Sequence, residues 1–140
     1  MSDSTILALD VGERRIGYAL ANLAAKLPSP GGVLENSEDV HEDIVKLAKD
    51  HSAIAVVVGL PRNLSGDDTA QTKQARSFAT ELKKVIRMPV YLQDEALTSQ
   101  KAEEELGGRK VGYNKESVDA LAATYILADF LRDHPKFPNE

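Results

Sequence analysis

Two apolar runs of strand length open the chain, residues 5–10 (TILALD) and 15–22 (RIGYALAN), parted by a short turn containing Gly12. A connector over 23–31 leads to a third short strand at 32–35. Three strands in succession with short links predict an antiparallel meander. The period then changes. Val40, Ile44, Leu47 and Ala48 recur at helical spacing and predict a helix from a Ser37 cap to about residue 51. Glu38 and Asp39 would lie in its first turn and Lys46 and Lys49 in its last, as the helix dipole favours. Residues 53–60 (AIAVVVGL) are continuously apolar and β-branched, which suits a strand buried on both faces. Ala75, Phe78, Ala79, Leu82 and Ile86 form one stripe and predict a helix over 67–86. A fifth strand follows at 89–93. Thr98 or Ser99 caps a short helix that stops at Gly107, and after the loop GRKVGYNK a last helix runs over 117–133.

The order is βββαβαβα(α), an α/β arrangement. It predicts a mixed five-stranded sheet, three antiparallel strands then two parallel, with helices on both faces. A right-handed crossover puts the fourth strand beside the first and parallel to it. The 140 residues suit one domain, 1–140, with a single core. No stretch of 18 apolar residues occurs, so no membrane span is expected. The first ten residues lack a secretory pattern, and the absence of cysteine excludes disulfides and thiolate chemistry. These features favour the cytoplasm.

Asp10 poses the chemical question, because a carboxylate closing a buried strand needs compensation. Glu95 follows the fifth strand, whose end opens on the same sheet edge. Asp119 lies near the start of the last helix. Its helical neighbours Ala122, Ala123, Ile126 and Phe130 are apolar, so that it faces the sheet. Three converging carboxylates call for cations between them. Mg²⁺ or Mn²⁺ prefers oxygen ligands and leaves room for phosphate oxygens. Two such ions, held by Asp10, Glu95 and Asp119, can hydrolyse a phosphodiester, with Asp10 as the shared ligand.

Bland alternatives stand beside this. Asp10 and Gly12 suit a turn, Asp119 suits a helix start, and Glu95 suits a solvated corner. For substrate, Gly59 allows close backbone approach, and Arg62 and Asn63 can hold a phosphate. Arg109, Lys110 and Lys115 lie in or beside the loop before Asp119. Arg15 suits a phosphate contact or a salt bridge equally. His41, His51 and His134 show no ligand spacing and are expected at the surface. The net charge of −5 weighs against a nucleic-acid binder, but bound cations are missing from such a count.

The blocks LALDVGERRIGYALAN, VVVGLPRNLSGD, VYLQDEALTS and VDALAATYIL together resemble the YqgF (RuvX) family of bacterial RNase H-like proteins across nearly the whole chain. The resemblance implies an RNase H-like fold and a nuclease acting on the 5′ end of pre-16S rRNA or on Holliday junctions. Its acidic positions match Asp10, Glu95 and Asp119. Gly12, Arg15, Gly59, Leu60 and Pro61 match its other fixed positions. One departure stands out: Ala96 stands where the family has an arginine, and if that arginine grips substrate phosphate, the resemblance implies weaker binding here or a grip borrowed from Arg62 or Arg109.

Two other classes compete. Asp10, Gly12 and Gly17 also resemble the phosphate loop of actin-like ATPases and sugar kinases, but 140 residues leave no room for their second domain. A binding module without activity would fit the charge and Ala96, though not the intact acids. Within the nuclease reading, junction resolution calls for a symmetric dimer. No dimer helix is evident, so a monomer or weak dimer processing ribosomal RNA is expected, with branched DNA as the alternative.

Overall fold

A computed structural model describes residues 4–63, 65–96 and 115–139. Its strands are β1 (Thr5–Val11), β2 (Arg15–Asn22), β3 (Ser29–Glu35), β4 (Ala53–Arg62) and β5 (Val90–Ala96). The helices are α1 (Val40–Asp50), α2 (Ala70–Lys83) and α3 (Lys115–Asp133). The sheet order is β3-β2-β1-β4-β5. β1, β2 and β3 pair antiparallel, and β4 and β5 join them parallel to β1. This is the mixed sheet expected from the sequence.

β1 is buried on both faces, and its alternation divides the core. Leu7 and Leu9 pack with Val56 and Val58 under α1 and α2, through Ile44, Ala48, Ala75 and Leu82. Ile6 and Ala8 pack with Ala55 and Val57 under α3, against Ala123, Ile126, Leu127 and Phe130. The sheet is thus a middle layer between α1 and α2 on one side and α3 on the other.

Several boundaries differ from expectation. β3 starts at Ser29, because the ladder with β2 continues through an irregularity between Tyr18 and Ala19. α1 starts later than Ser37, whose hydroxyl accepts from the Asp39 N–H at 3.3 Å in a local turn. Asp39 takes the N-cap position, the first-turn acids are Glu42 and Asp43, and Lys49 alone is the last-turn base. α2 begins after Thr69, where a capping box with Thr72 satisfies the end of the helix. The Thr72 hydroxyl also donates to the Pro61 carbonyl, tying α2 to the end of β4. β5 runs on past Gln93 because its ladder with β4 continues to Arg62↔Ala96, so Glu95 lies inside the strand. The expected short helix before Gly107 and the loop after it lie outside the described residues.

Candidate active site

Asp10 is the second-last residue of β1, and strand alternation puts it on the α3 face with Ile6 and Ala8. Its antiparallel partner is Gly17. Gly17 lets α3 come down onto the sheet: a Cβ there would lie 2.1 Å from the Asp119 carbonyl oxygen. The backbone of Asp119 therefore rests on the strand pair that carries Asp10. A glycine inside a strand is a sequence signal for such an approach.

The turn between β1 and β2 is equally fixed. Gly12 donates its N–H to the Arg15 carbonyl at 2.9 Å. Asn36, just beyond β3, donates its side-chain amide to the Gly12 carbonyl at 2.7 Å and its backbone N–H to the Arg14 carbonyl at 2.8 Å. Nothing in the pattern around Asn36 announces this role.

Burial pushes the Asp10 carboxyl up to about 7, and the nearby Asp119 carboxylate pushes in the same direction. Among the described residues no hydrogen bond reaches the Asp10 carboxylate. Asp119 has a partner: Arg15 Nε donates to its Oδ2 at 3.0 Å. The two side chains are 35% and 22% exposed, so the pair borders solvent. Beside it opens a cleft of about 340 Å³ lined by Gly12, Glu13, Arg14, Arg15 and Asp119. Of the two readings open for Arg15, the structure displays the salt bridge.

Glu95 is 7% exposed and shares the α3 face of β5 with Tyr91 and Gln93. It stands opposite Pro61, two strands from Asp10. Arg132, late in α3, feels its charge, whereas Asp119 lies in the second turn of that helix. Among the described residues no three acidic or histidine side chains gather closely enough to hold one ion. The structure brings Asp10 and Asp119 together and holds Glu95 apart on the same face. The Asp10–Asp119 pair still fits a hard divalent cation, being two oxygen donors of which the inner has no compensating hydrogen bond among the described residues.

The expected substrate contacts have other occupations. The space beside Gly59 is taken by Ile126, whose Cδ1 would lie 2.4 Å from an added Cβ. Arg62 donates through Nε and Nη2 to Asp94 Oδ1 at 3.1 and 2.9 Å, and through Nη1 to Asp68. Arg76 joins this network through Asp68 Oδ2 at 2.7 Å. The Asn63 side-chain oxygen accepts from the Ser65 and Asp67 N–H groups at 3.0 and 2.9 Å, which closes a turn. Arg109 and Lys110 lie outside the described residues, as does the side chain of Lys115. Two of the histidines are packed and not merely superficial: His41 stacks on Phe78 at 4.5 Å and His134 on Phe130 at 4.4 Å.

Comparison with known proteins fits this arrangement. Residues 4–133 match the family described as RuvX, Holliday junction resolvase. A protein of Chloroflexus aurantiacus named pre-16S rRNA nuclease is 38% identical over 99% of this chain and 94% of its own length. One of Saccharophagus degradans with the same name is 33% identical over 99% of this chain and all of its own. Among solved structures, the Fowlpox virus resolvase in complex with Holliday junction DNA aligns with a TM-score of 0.52. It covers 94% of this chain and 99% of the viral one at 7% identity, a likeness of fold.

Proposed function

The chain belongs to the RuvX family, and on that premise we propose that it is a metal-dependent nuclease that processes the 5′ end of pre-16S rRNA. The observation that carries the reading is the half-buried Asp10 carboxylate set beside Asp119, which itself lines an open cleft. Asp10 and Asp119 would hold Mg²⁺ or Mn²⁺, and Glu95, farther along the same face of the sheet, would contribute the third acid through a second ion. A divalent ion supplies Lewis-acid polarisation of the phosphodiester and of the attacking water.

The chain's own residues do the rest. With its carboxyl pushed up to about 7, Asp10 is about half protonated near neutral pH, and a bound cation would favour its ionised form. Without an ion, Arg15 Nε donates to Asp119 Oδ2, and Asn36 holds the turn that presents Arg15 at the site. Arg14 and Arg15 line the cleft and would offer positive charge to a backbone phosphate there. No side chain here serves as a covalent nucleophile. Among the described residues no helix is long and apolar enough to cross a membrane. We place the activity in the cytoplasm, in a monomer or weak dimer.

Ribosomal RNA is favoured over branched DNA because relatives spanning 99% of this chain carry that name. The family description keeps junction DNA as the second reading. The test is cleavage of an end-labelled pre-16S leader and of a four-way DNA junction, with Mg²⁺, Mn²⁺ or chelator. Metal-dependent cutting of the leader is expected. Symmetric cutting of the junction alone would move the assignment to resolution, and no cutting of either would defeat the nuclease reading.

A further inference from the structure

We propose that Arg15 is an exchangeable counter-cation: it occupies Asp119 while the site holds no divalent ion, and ion binding releases it toward the substrate phosphate. The inference rests on the reading of Asp10 and Asp119 as the ion-holding pair and adds a competitor for that pair drawn from the chain itself.

Two arginines at the active edge show the contrast that carries it. Arg62 is committed through Nε, Nη1 and Nη2 to Asp94 and Asp68. Arg15 makes a single bond, Nε to Asp119 Oδ2 at 3.0 Å, and among the described residues its Nη1 and Nη2 bond nothing. A one-point, part-exposed ion pair is easily exchanged, whereas a forked pair at several nitrogens is not. The released end already borders the cleft with Gly12, Glu13 and Arg14.

Charge makes the two occupants exclusive. A divalent ion reaching Asp119 Oδ2 would face a guanidinium on the same oxygen, and like charges at that distance repel. Once displaced, Arg15 remains tethered at the first residue of β2, whose backbone the Gly12 bond holds in place. Its planar fork then lies free for two oxygens of a phosphate. Ion binding and phosphate binding thereby become linked: each cation that enters frees a ligand for the substrate.

The test is Mn²⁺ affinity by calorimetry in the full chain, for wild type, Arg15→Gln and Arg15→Lys, without nucleic acid. Removing an exchangeable pair of this kind should tighten Mn²⁺ binding in Arg15→Gln about three- to tenfold, with Arg15→Lys between it and wild type. Equal or weaker binding in Arg15→Gln, with wild type binding normally, would overturn the exchange and leave the ion site intact. No Mn²⁺ binding by wild type would defeat the ion site and the exchange together. A second measurement needs no variant: the Arg15 Nε–H resonance should move toward that of a free guanidinium as Mg²⁺ is added. A resonance unmoved at saturating Mg²⁺ would also overturn the exchange.

Discussion

The carbonyl oxygen of Asp119 occupies the place where a side chain on Gly17 would begin, 2.1 Å from an ideal Cβ. Gly17 is also the cross-strand partner of Asp10. One missing side chain therefore sets the distance between the sheet and α3 at the point where the two acids meet. The clash would be with backbone, which cannot rotate away as a side-chain tip can.

Gly17→Ala should accordingly cost more than a surface change. Forcing a methyl into this contact lifts the start of α3 and should lower stability by about 1–3 kcal/mol or more. Thermal unfolding measures the loss. Mn²⁺ affinity should fall with it, because Asp119 moves away from Asp10.

Acidity gives a second prediction. Asp10 titrates higher in the folded chain, at about 7, than its ordinary value of 3.8. Between those values the unfolded chain ionises while the folded one keeps its proton, so stability should fall as pH rises through that window. Below it both states are protonated and no penalty applies; above it the full penalty remains. The slope approaches about 1.4 kcal/mol per pH unit, a few kcal/mol in all. Urea unfolding of metal-free protein at several pH values measures it. Asp10→Asn should flatten that part of the curve and stabilise the metal-free chain at pH 8.

Arg62 tests which cations belong to the substrate. Its three-nitrogen engagement with Asp94 and Asp68 assigns it to holding the turn after β4 against β5. Arg62→Ala should lower stability by about 1 kcal/mol. The salt dependence of leader binding should keep its wild-type slope. A slope shallower by about one would instead assign Arg62 a phosphate.

Asn36 offers a similar test at the other turn. Asn36→Ala removes the bond to the Gly12 carbonyl and should cost about 1 kcal/mol in thermal unfolding. Because Arg15 leaves the same turn, leader affinity should drop as well.

Periodicity made much of the fold legible. The switch from strand spacing before residue 36 to helical spacing at Val40, Ile44 and Ala48 marks the end of the meander, and the unbroken run of β4 marks a central strand. Strand ends were harder to read. Glu95 lies within β5 because a ladder extends as long as a partner strand does, and nothing local to VYLQDEA announces the partner's length. Asp119 was legible from the apolar residues sharing its helix face, and Asp10 from its place at the end of an apolar run. Their union depends on Gly17, whose meaning needs knowledge of what packs on β2. The separation of Glu95 is likewise tertiary, because α3 passes from Gly17 near its start to Gln93 at Asp133. Arg62 and Asn63 looked available in the sequence because ion pairs and turn bonds to Asp94, Asp68 and Asp67 leave no periodic trace.

The central claim is that Asp10 and Asp119 together form the cleavage centre. Single-turnover cleavage of the labelled pre-16S leader in Mg²⁺, comparing wild type with Asp10→Asn and Asp119→Asn, tests it most directly. Each variant, folded by its unfolding curve, should lose at least about a hundredfold in rate, as expected when a charge-stabilising group is removed from a reacting centre. Cleavage by either variant at the wild-type rate would contradict the account.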